Sequence, residues 1–187
     1  MSVRVHAPAT YEDLLKVPDH LVAELIDGEL FTSPRPAIPH ADAVSELNSM
    51  LRSAFGKRGD GSWHIMFEPE LHLGPDVLVP DLAGWRTERV PVLPRTPSIS
   101  ITPDWVCEVL SPSNHRLDRA LKMPLYARHG IPHAWIIDVD AQYLEVSRLG
   151  NGRWTVVEVF TGAVTVRAEP FDAIEIDMTL VWGPAPT

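Results

Sequence analysis

The sequence predicts an α/β chain, α+β in looser terms, with a mixed central sheet flanked by helices and extended by antiparallel hairpins. Three observations predict it. Short β-rich apolar runs at residues 105–110 and 134–139 enclose a segment with Leu117, Leu121 and Leu125 four residues apart. That is the strand–helix–strand pattern of a parallel, right-handed crossover. Asp27-Gly28 and Gly150-Asn151-Gly152 each stand between two strand-like runs, as hairpin turns do. Residues 41–55 place Ala43, Leu47, Met50, Leu51 and Ala54 on one side of a helix.

Taken in order, residues 1–9 carry no pattern and are expected as a flexible end, as is the tail at 183–187. Thr10 caps a short helix over 11–17, with Glu12 and Asp13 in its first turn. Strands at 21–26 and 29–32 flank Asp27-Gly28, and a proline-rich loop at 33–39 leads to the 41–55 helix. Residues 63–73 alternate as strands divided by Pro69, and 76–85 read as a strand-like run in which Pro80, just before Asp81, marks a strand end, an edge or a bulge. Residues 87–103 form a long proline-containing connection, either a substrate-facing flap or a static surface loop. Ser111-Pro112-Ser113-Asn114 stops the strand that holds Glu108 and offers caps to the next helix. Pro124 lies inside that helix and must kink or restart it. Strands at 143–149 and 154–160 form the second hairpin; 164–168 and 174–176 are short strand candidates, and 178–182 is a last half-turn or strand.

Two acids interrupt apolar runs. Glu108 lies in Trp105-Val106-Cys107-Glu108-Val109-Leu110, and Asp81 precedes it by 108 − 81 = 27 residues, enough for two strands and a connection. A buried carboxylate is costly unless paired or bound to a cation. Two side by side repel, and a divalent cation removes the conflict. Lys122, on the helix after Glu108, could neutralise a phosphoryl oxygen or orient water. Glu24 and Glu29 bracket the Asp27-Gly28 turn, either as exposed hairpin acids or as a third carboxylate of the site. His40 precedes the 41–55 helix, as a capping or packing residue or as a contact to substrate or metal-bound water.

Several of these residues also carry a resemblance. Pro80-Asp81, the run from Glu108 to Ser113, Asp118 to Lys122, Tyr126-Ala127 and residues 130–138 occur in one order, together with residues 24–30 and Ser33-Pro34. The pattern resembles the Uma-two family of restriction-endonuclease-like proteins, which have the PD-(D/E)XK nuclease fold. It covers roughly residues 10 to 140. The resemblance implies an endonuclease hydrolysing DNA phosphodiester bonds with magnesium or manganese. Asp81 and Glu108 would be the motif acids and metal ligands, Lys122 the lysine, and His40 the family's histidine. The general nuclease pattern places the lysine two residues after the Glu, where this chain has Leu110. The resemblance therefore moves that role onto the following helix. The alternative function is a catalytically silent nuclease-fold binding module, dimeric through its C-terminal hairpins.

Composition bounds both readings. A length of 187 residues with 45% hydrophobic and 22% charged residues suits one soluble domain over 1–187. No run is long enough for a membrane span and no signal pattern opens the chain, so the cytoplasm is the expected location. Cys107 stands alone, which excludes an internal disulfide and a cysteine-rich zinc site. A net charge of −9 opposes broad nucleic-acid binding. Arg86, Arg89, Arg95, Arg116, Arg119, Lys122 and Arg128 could form a local basic patch, or each is a solvated surface charge. A homodimer is expected, since a chain this small needs two active sites to cut both strands.

Overall fold

The computed structural model describes residues 8–111 and 115–183. Of the expected flexible ends at 1–9 and 183–187, residues 1–7 and 184–187 lie outside the described residues, as do Pro112, Ser113 and Asn114 of the expected capping turn, while the Ala9 N–H bonds the Gly28 carbonyl at 2.8 Å. The chain opens with α1 (Tyr11–Leu14), capped by a Thr10–Asp13 box. It is shorter than the sequence suggested, because Lys16 and Val17 donate to Asp13 and Leu14, three residues back, and tighten the end. The first hairpin, β1 (Leu21–Ile26) and β2 (Glu29–Pro34), turns through Asp27 at φ 50° and Gly28 at φ 80°. Two left-handed residues in a row are what a tight hairpin requires.

Helix α2 (Ile38–Phe55) begins three residues before the expected start at residue 41, with Pro39 tolerated in the first turn. His40 therefore sits inside the helix. After it come β3 (Trp63–Phe67), β4 (Glu70–Leu73), β5 (Asp76–Leu78), β6 (Leu82–Arg86), β7 (Ser98–Ile99) and β8 (Trp105–Leu110). The crossover carries α3 (His115–Leu117), a π-helical turn (Asp118–Lys122) and α4 (Met123–Arg128). Pro124 explains the turn: it lacks an N–H, and the helix takes up an extra residue, with the Met123 N–H reaching Asp118, before restarting. The chain ends with β9 (His133–Asp138), β10 (Tyr143–Gly150), β11 (Arg153–Thr161), β12 (Thr165–Val166), β13 (Ile176–Asp177) and α5 (Met178–Trp182).

A six-stranded mixed sheet runs β11-β10-β9-β8-β6-β3, parallel at β8–β9 and antiparallel elsewhere. A five-stranded sheet runs β2-β1-β5-β4-β7. The run at 76–85 is not one interrupted strand: β5 belongs to the second sheet and β6 to the first. Pro80 cannot donate to a ladder, and the chain changes sheet at Val79-Pro80-Asp81. Asp81 thus stands at the junction of the two sheets.

Every residue of β8 is buried, as expected of a strand covered on both faces. Trp105, Cys107 and Val109 join a core with Leu47 and Leu51 of α2, while Val106 and Leu110 join a core with Leu125 and Tyr126. Glu108 shares the parity of Val106 and Leu110, which turns it toward the crossover helix. In the α2 core, Phe171 packs its ring within 4.8–5.6 Å of Phe55, Trp63, Trp105 and Trp135. The 87–103 connection is pinned: Trp85 Nε1 donates to Ile101 O at 2.8 Å, and Arg89 bonds Asp104 and Thr102. None of its residues lines the acid cleft described below. Among the described residues, no helix is long and apolar enough to cross a membrane.

Candidate active site

The two sheets part around a cleft of about 310 Å³. Its walls carry Glu24, His40, Glu68, Asp81, Glu108, Asp118 and Lys122. The structure thus brings Asp81, Glu108, Lys122, His40 and Glu24 to one place. Glu29 is not among them: it is exposed at the start of β2 and lines a separate groove. Its reading as a third carboxylate gives way to that of a solvent-facing hairpin acid. Four arginines of the candidate basic patch are each engaged with another group. Arg86 lies over Trp63, Arg89 pairs with Asp104, Arg119 with Glu145, and Arg128 with Asp27 and Asp76.

Lys122 is the centre of the cleft floor. It is 3% exposed, and its Nζ lies 2.9 Å from Glu108 Oε1, 3.1 Å from Glu24 Oε1 and 3.6 Å from Asp118 Oδ1. It also donates to the Val79 carbonyl at 3.0 Å. The π-helical turn makes this possible, since it directs both Asp118 and Lys122 inward. Glu108 accepts a second, short hydrogen bond from Tyr126 OH. Glu24 is held from the other side by the Val79 N–H at 2.8 Å.

Asp81 sits nearer the opening. Its Oδ2 accepts from the Val109 N–H at 2.7 Å, which ties it to the strand of Glu108. His40 Nε2 lies 3.3 Å from Oδ1, and His40 Nδ1 is buried without a hydrogen-bond partner among the described residues. At the mouth, Arg35 is ion-paired with Glu68 at 3.4 Å. Glu68 occupies the left-handed region at φ 41°, which is unusual for a residue with a side chain, and its N–H bonds the Asp81 carbonyl at 3.0 Å.

The electrostatics follow from an excess of buried acid. Burial pushes Glu108 well above the usual carboxylate range; Lys122 opposes this, while Asp118, Asp81 and Glu24 add to it. Asp118 is raised to about 6, mainly by burial and then by Asp81 and Glu24 against the pull of Lys122. Glu68 is raised by burial and by the charge of Asp81. Burial works against a charged Lys122, but Glu108 and Glu24 outweigh it and hold the proton firmly. Burial likewise disfavours a charged His40, and Asp81 more than compensates, so its pKa is raised.

Sequence reasoning did not single out Asp118, Tyr126, Glu68 or Arg35. Asp118, Lys122 and Tyr126 repeat every four residues, so a shared helix face was readable. Glu68 and Arg35 gave no such signal, because a turn conformation and a fold-wide approach place them.

A family model described as "Putative restriction endonuclease", named Uma2, matches residues 8–179. The chain belongs to the Uma2 family. A crystal structure of a "putative nuclease" from Anabaena variabilis is similar to this Uma2 chain, with 25% sequence identity and a TM-score of 0.75. The match covers 94% of this chain and 98% of that one. A search of the curated proteins found no match. The mixed six-stranded sheet with its crossover helix is thus the restriction-endonuclease-like fold of this Uma2 member.

Proposed function

We propose that the chain is a magnesium- or manganese-dependent endonuclease that hydrolyses phosphodiester bonds in DNA. The observation that carries the reading is the acid excess of the cleft. Glu24, Glu108 and Asp118 surround a single buried ammonium, and Asp81 and Glu68 add to them. Such a set fits a hard divalent cation. Among the described residues no group of three or more His, Cys, Asp or Glu side chains is already arranged to hold a metal ion.

In this reading Asp81 and Glu108 hold the cation, which when bound polarises a phosphoryl oxygen and lowers the pKa of water. The chain's own groups do the rest. Lys122, fixed by Glu24, Glu108 and the Val79 carbonyl, holds positive charge at the cleft floor, where it stabilises charge developing on the phosphate. His40 orients Asp81 through Oδ1, and Arg35, 59% exposed at the mouth, draws the anionic backbone inward.

One observation favours the silent-module reading. Leu110, in the place of the general pattern's lysine, is buried in the core, and Lys122 is already occupied by carboxylates. Calorimetric titration of manganese, then DNA cleavage, distinguishes the two. The nuclease reading expects saturable binding and cleavage, both lost in Glu108→Ala. Partner binding that survives Asp81→Ala, with no cleavage by the wild type, would refute it.

A further inference from the structure

A second groove adjoins the acid cleft and has the opposite chemistry. It follows β3, the outer strand of the six-stranded sheet, and encloses about 340 Å³. All of β3 lines it, together with Arg52, Gly56, Lys57 and Leu93. Arg52 and Lys57 are exposed, and no lining residue is acidic. On a chain of net charge −9 that is a local reversal of sign.

One aromatic ring in the groove is open to water. Phe67 is 51% exposed, whereas Trp63 at the other end is 3% exposed and already covered by the Arg86 guanidinium at 4.6 Å. Phe67 is also the groove residue nearest the cleft along the chain. It pairs with Leu82, next to Asp81, and the following residue is Glu68 on the cleft wall. Two exposed cations lining the same groove as a free ring make a site for phosphates and a base face. Bases within a duplex are stacked on one another and offer no face. A duplex also asks for a broad basic surface, which the dispersed arginine pairs do not supply.

We propose that this groove holds an unpaired stretch of nucleic acid flanking the bond addressed by the cleft, with Phe67 stacking a base and Lys57 and Arg52 contacting its phosphates. The inference rests on the nuclease reading and adds a substrate class, single-stranded DNA or an unpaired flank.

The test is fluorescence anisotropy with a labelled single-stranded oligonucleotide and with its duplex, in EDTA and again in calcium, at two salt concentrations. The wild type is expected to bind the single strand more tightly than the duplex. Phe67→Ala should weaken single-strand binding roughly 5- to 150-fold, the range that loss of one base–aromatic stack gives. Phe67→Leu, which keeps the apolar bulk, should lose nearly as much. Lys57→Glu should weaken binding and reduce the salt slope by about one. Arg153→Glu, exposed on β11 away from both grooves, should change nothing. Phe67 is largely outside the core, so unchanged circular dichroism is expected throughout. Single-strand binding that Phe67→Ala and Lys57→Glu both leave intact overturns the groove proposal and spares the nuclease reading. Tighter binding of the duplex overturns it as well. A wild type that binds no nucleic acid in either condition overturns both.

Discussion

Replacing Lys122 with methionine takes the ammonium out of a cluster that holds Glu24, Glu108 and Asp118. Methionine keeps much of the aliphatic stem, so the packing loss is small and the change is mainly electrostatic. Removing one partner of a buried ion pair costs about 3–5 kcal/mol, because the other charge is left uncompensated. That figure belongs near pH 8, where the acids are asked to stay ionised. Asp118, at about 6, and Glu108, pushed well above the usual carboxylate range by burial, both have folded-state values above their unfolded ones. Groups raised in this way hold extra protons in the folded state at low pH. Their contribution is favourable there and declines as the pH rises through the folded value. Without Lys122 the two acids should rise further and accept protons at pH 5, so part of the loss should be recovered. Urea unfolding of wild type and Lys122→Met at pH 5 and pH 8, with linear extrapolation, measures both losses. A variant as stable as wild type at pH 8, or one destabilised equally at both values, would refute the reasoning. Glu24→Gln combined with Lys122→Met should destabilise less than the sum of the two single changes, since they share one interaction.

Four further outcomes are expected. Asp81→Asn should cut metal-dependent cleavage at least about 100-fold with little change in thermal unfolding, because only one charge near the mouth is lost; activity assays and a melting curve check this. Glu68→Gly should stabilise the protein by about 0.5–1 kcal/mol in denaturant titration, since a left-handed side-chain residue costs about 1–2 kcal/mol and glycine returns part of that as chain entropy; the same variant should lose cleavage. Phe171→Ala should cost about 3–5 kcal/mol by urea unfolding, because the ring is fully buried against Phe55, Trp63, Trp105 and Trp135. Chelation should abolish cleavage, and added manganese should restore it; cleavage that continues in EDTA would remove the metal from the proposal.

Much of the fold was legible where local signals agreed. Asp27-Gly28 could hardly be anything but a tight hairpin, and β8 was readable as a buried strand from its unbroken apolar run. Glu108 and Asp81 stood out because a charge inside an apolar run needs a reason. Their pairing with Lys122 was readable only as a possibility, since spacing along the chain says nothing of which helix face meets which strand. Residues 76–85 show the limit. Pro80 marks a strand end, an edge or a bulge, and nothing local says which, or that the chain passes there from one sheet to another.

The sequence by itself determined the periodic elements, the acids that interrupt them and the family resemblance, because each is written in neighbouring residues. The tertiary structure decided which acids meet. It buried Glu24 and left Glu29, five positions on, in water. It set Asp118 and Lys122 inward through a π-helical turn, and engaged Arg89, Arg119 and Arg128 in separate ion pairs. It also brought Arg35 and Glu68 to the wall of the cleft. The physical reason is that burial and charge pairing are properties of the packed chain. A carboxylate's cost and a lysine's proton are set by what lies within a few ångströms, and those neighbours come from segments far apart in sequence.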